Sequence, residues 1–255
     1  MDIKFITDIC KKAGAIGLKY FGRTTGNLKK DNTLVTEADI EIEKYLRREV
    51  SLRYPDQTIL GEEAVSQERV KSDVVWAIDP VDGTRAFHHG FPIWSVSVGV
   101  IKNGEAWMGA VYAPVLDGLY YTDGERSFYN KMELVPGPGG IDPNSCFLVP
   151  GIFSRSWDIN YPGTCLALGS TALHLCYVGQ GAAAGMFAIK AAIWDLAGGA
   201  AILRPLGISL RYLSGERASF KELYDGREAR PLIVCPDANF EVLSRSIIQK
   251  SAKRA

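Results

Sequence analysis

Histidine and cysteine are scarce in this chain of 255 residues, with three His and five Cys. The cysteines, Cys10, Cys146, Cys165, Cys176 and Cys235, are scattered, odd in number and form no C-x-x-C pair. Neither a zinc site nor a disulfide framework is therefore expected, and a reducing cytoplasm is the natural home. Charge of neither sign is in excess: Lys plus Arg and Asp plus Glu number 29 each. No basic field draws such a chain to nucleic acid. No apolar run reaches membrane-spanning length, and Met1-Asp2-Ile3-Lys4 does not open a secretory leader. G-x-S-x-G and Walker patterns are missing, which leaves serine-hydrolase and P-loop readings without support. Internal repeats and low-complexity tails are missing too. What remains is 47% hydrophobic, enough for a large core in one domain or in two tightly joined lobes.

The most informative segment follows the apolar run Val74-Val75-Trp76-Ala77. It reads Ile78-Asp79-Pro80-Val81-Asp82-Gly83-Thr84. A buried strand ends there, and two carboxylates, a glycine and a hydroxyl come within six residues. Pro80 blocks further strand pairing and sets a tight turn that brings Asp79 and Asp82 together. Two neighbouring carboxylates repel unless a cation lies between them, and oxygen-only ligands suit a hard ion such as Mg²⁺. Gly83 permits close backbone approach, and Thr84 can open a helix whose free N–H groups face an anion. An ordinary turn remains the alternative.

Further acids stand elsewhere. Ile59-Leu60-Gly61 ends in Glu62-Glu63, which by itself reads most simply as a solvated loop. Trp194-Asp195-Leu196-Ala197-Gly198-Gly199 sets one acid in an apolar stretch of small residues. Asp195 is either a helix N-cap or a paired or coordinated carboxylate, because an unpaired one is costly to bury.

Ile3, Ile6, Ile9, Cys10, Ala13, Ile16, Gly17 and Tyr20 recur at helical spacing over residues 2–22, with Gly22 and Gly26 as stops. Thr36 and Asp39 make a capping-box start for a helix running to about Arg53. The bland role of Asp39 is then a first-turn acid favoured by the helix dipole. Trp94 to Val100 alternates, Asn103-Gly104 is a hairpin turn before Ala106 to Tyr112, and Asp117-Gly118 and Asp123-Gly124 mark two more hairpins. Pro136-Gly137-Pro138-Gly139-Gly140 is the clearest break and divides residues 1–136 from 141–255. Beyond it strands are expected near 147–149, 183–187, 208–210 and 232–235, with helices at 170–177, after Asp195, and from Asn239.

Three signals rank lower. Gly179-Gln180-Gly181 resembles a dinucleotide fingerprint but stands between a helix and a strand, in the wrong order. His88-His89 has no His or Cys partner at metal spacing and reads as a surface or substrate-rim pair. His174 lies on an apolar helix as a hydrogen-bonded core residue.

In order and spacing, Asp39 of Val35-Thr36-Glu37-Ala38-Asp39, Gly61-Glu62-Glu63, Asp79 to Thr84 and Trp194-Asp195-Leu196-Ala197-Gly198 resemble the inositol monophosphatase family of Mg²⁺-dependent, lithium-sensitive sugar phosphatases. Lys29-Lys30-Asp31-Asn32-Thr33 looks like the family's lead-in. The likeness spans about residues 3 to 245. It implies an α+β fold, a layered α-β-α-β-α sandwich, with the site between the two halves. It also implies a homodimer that acts on a small phosphorylated metabolite. By the same likeness, Glu62, Asp79 and the Val81 carbonyl hold one Mg²⁺, and Asp79, Asp82 and Asp195 a second. Glu62 and Thr84 position the attacking water, with Asp39 accepting from Thr84. Backbone groups of Gly83, Thr84, Gly169, Ser170 and Thr171 hold phosphate, and Glu63 acts behind Glu62 or on a third metal.

The family's inositol phosphatases carry an acid seven residues before the Trp-Asp aspartate. Here that position is Ala188, with Lys190 close by and Arg85 after Thr84. Either cation reads a second anionic group or is simply solvated. The expected substrates are therefore an inositol or sugar phosphate, a sugar bisphosphate, phosphoadenosine phosphate or histidinol phosphate. A catalytically weak regulatory role is the non-enzymatic alternative.

Overall fold

The computed structural model describes residues 1–23, 26–28, 34–63, 70, 72–137 and 140–251. The lead-in at residues 29–33 and the centre of the proline-glycine break, Pro138-Gly139, lie outside the described residues.

Helix α1 (Ile3–Tyr20) starts on Asp2, whose side chain accepts from Lys4 N at 3.0 Å, and buries Ile6, Ile9, Cys10, Ala13, Gly14 and Gly17 on one face. Gly22 at φ +66° turns the chain away. A short ribbon pairs β1 (Asn27–Leu28) with β2 (Leu34–Val35). Helix α2 (Glu37–Arg53) opens on the capping box of Thr36 and Asp39. Strands β3 (Thr58–Gly61) and β4 (Val74–Asp82) pair in parallel, and the short helix α3 (Thr84–His88) follows. Then comes an antiparallel meander of β5 (Ser95–Lys102), β6 (Glu105–Ala113), β7 (Gly118–Thr122), β8 (Ser127–Tyr129) and β9 (Met132–Glu133). Its first turn has Asn103 and Gly104 at φ +55° and +89°, the backbone that Asn-Gly favours. The seven strands lie side by side in sequence order.

The second sheet collects β10 (Cys146–Leu148), β12 (Thr164–Leu166), β13 (Gly185–Ala188), β14 (Ser209–Tyr212) and β15 (Leu232–Cys235) in the order β12-β10-β13-β15-β14. Between these strands run α4 (Thr171–Gly179) and α5 (Ile193–Leu203). Helix α6 (Asp237–Ser246) follows, and β16 (Ile247–Gln249) pairs back onto β11 (Trp157–Ile159). β11, β12 and β16 have three residues each, too few for the alternation that marks a strand in sequence.

Alternation along the strands sets the layers. Trp76, Ile78, Val98, Val100 and Met108 face α1 and α2, whereas Val75, Ala77 and Ile101 face α4 and α5. The other side of those two helices packs on Leu148, Met186 and Val234 of the second sheet. The far face of that sheet, with Phe147, Phe187, Ile233 and Cys235, is covered by Leu243 of α6. The order is α-β-α-β-α, an α+β layered sandwich as expected. All five cysteines are free thiols, and no helix among the described residues is long and apolar enough to cross a membrane.

Candidate active site

Two expectations about Asp79 to Thr84 are corrected by the strand itself. β4 does not stop at Pro80 but pairs on to Asp82. Asp79 faces Ser97 and Asp82 faces Ser95 on β5, three residues against two, so one extra residue is accommodated in a β-bulge. Pro80 is tolerated there because a bulge needs no donor from it. Without the bulge, positions three apart would project to opposite faces. With it, both aspartates turn toward α5 while Val81 points into the α1–α2 layer, fully buried. Val81 N donates to Asp79 Oδ1 at 3.0 Å and fixes that rotamer. Gly83 has φ +91° and abuts the carbonyls of Ile93 and Gly169, so a side chain there is doubly disfavoured.

Asp195 comes from the adjacent layer. Helix α5 begins at Ile193, so Asp195 is its third residue rather than its N-cap, and its Oδ2 accepts from Ala192 N at 2.6 Å. Small residues let this helix lie directly on the sheet. A Cβ on Gly99 would come 2.5 Å from the Ala197 backbone, and one on Gly109 would come 3.2 Å from Gly198 Cα. Ser97 Oγ donates to Trp194 O at 3.4 Å across the same contact. Among the described residues, Asp79, Asp82 and Asp195 form the group close enough to share a cation, with one oxygen from each all within 4.8 Å of one another.

Glu62 joins them by register. β3 and β4 pair through Gly61 opposite Ile78, so the next step sets Glu62 level with Asp79. Burial raises the pKa of Asp79 well above the carboxylate range, and the charges of Glu62, Asp82 and Asp195 add to that. Asp195 is raised by burial and by the charges of Asp82 and Glu62. The proximity of the Asp79 and Asp195 side chains, within 4.8 Å, adds to the rise at Asp79. Asp82 is also raised by burial, but hydrogen bonds from Ser170, Ala172, Thr171 and Ser95 oppose it. Buried carboxylates this close fit a hard divalent cation, which offsets their mutual repulsion and satisfies an all-oxygen donor set.

The start of α4 differs from expectation. Thr171 N and Ala172 N donate to Asp82 at 3.1 and 2.8 Å, and Ser170 Oγ also donates to Asp82. The Thr171 amide assigned to phosphate thus holds the protein's own carboxylate. Ser170 Oγ additionally accepts from Leu173 N at 3.1 Å as the helix N-cap, and Gly169 enters the turn at φ +103°. Thr84 opens α3 as expected, but its Oγ1 donates to Val81 O at 3.1 Å rather than to Asp39. Asp39 instead accepts from Thr36 N and Oγ1 at 2.8 and 2.5 Å, because the capping box engages it first.

Ala188 ends β13, buried, beside a cavity of about 100 Å³ lined also by Gly169, Thr171, His174 and Met186. Lys190 is exposed at φ +60° between this strand and α5, and Arg85 is exposed on α3. His174 is a core residue whose Nε2 accepts from Leu168 N at 3.2 Å. His88 and His89 lean on each other, 4.9 Å between ring centroids, at the end of α3. Gly179-Gln180-Gly181 is the α4-to-β13 turn. The sequence reading missed Ser95, Ser97 and Ala172, single small residues whose importance comes from across-layer contacts.

A model of the inositol monophosphatase family matches residues 2–251. A fructose-1,6-bisphosphatase/inositol-1-monophosphatase of Thermotoga maritima is 29% identical over 231 residues, 85% of this chain and 87% of its own. The Nus factor SuhB of Pasteurella multocida is 33% identical over 212 residues, 77% of this chain and 79% of its own. Among solved structures, an IMPase of Thermotoga maritima superposes with a TM-score of 0.82 at 25% identity, covering 95% of each chain.

Proposed function

This chain belongs to the inositol monophosphatase family, and we propose that it is an Mg²⁺-dependent phosphatase that hydrolyses a small phosphate monoester by direct attack of water. The observation that supports this most strongly is the convergence of Asp79, Asp82 and Asp195 within 4.8 Å. In this reading Glu62, Asp79 and the Val81 carbonyl would hold one ion, and Asp79, Asp82 and Asp195 would hold a second. Mg²⁺ supplies Lewis acidity, which activates water and offsets charge on the phosphate and on the leaving oxygen.

The chain's own groups then orient the reactants. Thr84 Oγ1 spends its proton on Val81 O, so its lone pairs face outward to accept from the attacking water. Glu62 is the second acceptor and takes the proton as the bond to phosphorus forms. Gly83 and Thr84 offer backbone N–H groups to the phosphate, and Asp39 acts at the start of α2, where the capping box holds it. No covalent enzyme intermediate is required.

Ala188 removes the side-chain acceptor expected for an inositol hydroxyl, which favours a substrate recognised by other means. A sugar bisphosphate, phosphoadenosine phosphate and histidinol phosphate are the alternatives to an inositol or sugar monophosphate. Lithium sensitivity and a homodimer belong to the same reading and rest on the family alone, and a cytoplasmic location rests on the scattered, unpaired cysteines. The test is phosphate release from these substrates with Mg²⁺, after chelation, and with lithium. Activity that disappears on chelation and returns with Mg²⁺ is expected. Full turnover after thorough chelation overturns the metal mechanism, and no release from any substrate favours a regulatory role.

A further inference from the structure

Glu62 occupies an exposed position in the topology. β3 is the edge strand of its sheet, and its pairing with β4 ends at Gly61 opposite Ile78. From there no ladder fixes the chain, yet the next residue is level with Asp79. A carboxylate one turn beyond Asp39 on α2 lies directly beneath this point. Glu43 is 2% exposed, one of few acids buried so deeply. Its Oε1 accepts from Arg47 Nε at 2.7 Å, and its Oε2 accepts from Glu63 N at 2.7 Å. Arg47 Nη1 donates to Ile59 O at 3.2 Å, two residues before Gly61.

Gly61 completes the arrangement. A Cβ on Gly61 would lie 2.7 Å from Glu43 Oε1 and 2.9 Å from Arg47 Nη2. The carboxylate therefore touches both chain neighbours of Glu62, Gly61 by close approach and Glu63 by a charge-assisted hydrogen bond. Removing an ion from water costs several kcal/mol, and an apolar residue would serve α2 packing as well or better. What an apolar residue does not supply is an acceptor for the Glu63 N–H where the sheet ends.

Resting on the metal-site reading above, we propose that Glu43 is a positioning residue. It grips the backbone on both sides of Glu62 and so aims the Glu62 side chain at the site shared with Asp79. Arg47 pairs with Glu43 and ties it to the carbonyl of Ile59. Helix α2 thereby sets two site residues from one face, Asp39 directly and Glu62 through Glu43.

The test is calorimetric titration of Mg²⁺ into the metal-free full-length protein, without substrate. It compares wild type with Glu43→Ala, Glu43→Gln and Gly61→Ala, and uses Leu243→Ala in the distant α6 layer as a destabilised control. Glu43→Ala is expected to lose about tenfold in Mg²⁺ affinity, as loss of groups that orient metal ligands commonly does. Glu43→Gln keeps an acceptor oxygen and loses less. Gly61→Ala loses affinity although every carboxylate remains, and Leu243→Ala keeps wild-type affinity. Excess Mg²⁺ restores turnover of Glu43→Ala with substrate KM unchanged. Wild-type Mg²⁺ affinity in folded Glu43→Ala overturns the proposal, as does an equal loss in Leu243→Ala. If Glu43→Ala does not fold, unchanged affinity in Gly61→Ala overturns it. Wild-type protein that binds no Mg²⁺ overturns the site reading itself, an outcome separate from a clamp that fails while wild type binds.

Discussion

Asp82 and Ala172 belong to different layers, yet the Asp82 carboxylate accepts the Ala172 N–H at 2.8 Å at the opening of α4. The positive end of that helix is filled by an internal anion. Thr171 N, Ser170 Oγ and Ser95 Oγ converge on the same carboxylate. Asp79 and Asp195 have one backbone donor each, from Val81 and Ala192. The three acids are therefore unequal: hydrogen bonds counter the burial of Asp82, whereas Asp79 and Asp195 are raised by burial and by their neighbours' charges.

Cation binding favours the ionised form of these carboxyls. Mg²⁺ affinity is expected to rise with pH through neutrality, with net proton release on binding. The sign follows from the raised carboxyl pKa values of Asp79 and Asp195. For the same reason the metal-free protein loses stability as pH rises above the ordinary carboxylate range, since its folded state binds more protons than the unfolded chain. Calorimetry in buffers of different ionisation enthalpy measures the release, and an affinity independent of pH contradicts it.

Asp79→Asn removes the most crowded charge while keeping an oxygen for Val81 N. Turnover is expected to vanish and Mg²⁺ binding to weaken strongly. The metal-free variant is expected to melt at least about 2 °C higher than wild type, a stability gain traded for function. Thermal melts with and without Mg²⁺ show both effects. Near-normal rates in this variant exclude a shared role for Asp79.

Thr84→Ala separates water orientation from cation binding. The hydroxyl is the group proposed to accept from water, and its only donated bond goes to Val81 O. Turnover is expected to fall about 10²-fold, with Mg²⁺ affinity within about threefold of wild type because no charged ligand changes. A loss confined to Mg²⁺ affinity contradicts the assignment.

Ala188→Glu is expected to raise kcat/KM for inositol monophosphate by about tenfold or more relative to a doubly anionic substrate, on the scale of one hydrogen bond to a buried partner. Lys190→Ala is expected to lower kcat/KM for the doubly anionic substrate. A native preference for inositol monophosphate that neither change alters shows that this corner of the site does not select the alcohol.

His174 makes stability fall with acid. Burial pushes its pKa down to about 4 from 6.5, so the unfolded chain binds the proton first. The His174 contribution is full above pH 6.5 and is lost toward pH 4, by up to about 3 kcal/mol, opposite in sign to that of the buried carboxyls. Denaturant melts of wild type and His174→Gln at both ends of that range isolate it. His174→Gln, which keeps an acceptor for Leu168 N, is expected to show a smaller decline than wild type.

What the sequence made legible was local. Thr36 and Asp39 sit three residues apart, and a capping box needs nothing else. Asn103-Gly104 demands its turn by backbone preference. The acids from Asp79 to Thr84 announce themselves by spacing, and their agreement with Asp39, Glu62 and Asp195 points to the family before any coordinate does. The rest depends on partners distant in sequence. Helix α4 has an ordinary N-terminus, and which anion fills it depends on β4, 88 residues earlier through Ser170 and Asp82. Glu43 reads as one more charge on a helix until β3 is laid across it. In sequence Pro80 marks the end of pairing because proline lacks a donor, and the bulge that accommodates it is a property of two strands together.

That bulge makes the site depend on residue count as much as on residue type. Three residues of β4 span the distance of two on β5 between Asp79 and Asp82. Inserting one residue between Ser95 and Ser97 of β5 would restore an even ladder and leave every carboxylate in the chain, yet it would rotate the segment after Asp79 by half a pleat. Asp82 would then be driven into the apolar side of the sheet, against α1 and α2, and α4 would lose the anion at its head. Point substitutions in this segment remove single groups. A one-residue shift in length dismantles the junction between two layers, so conservative replacements in this segment are tolerable where an insertion opposite it is not.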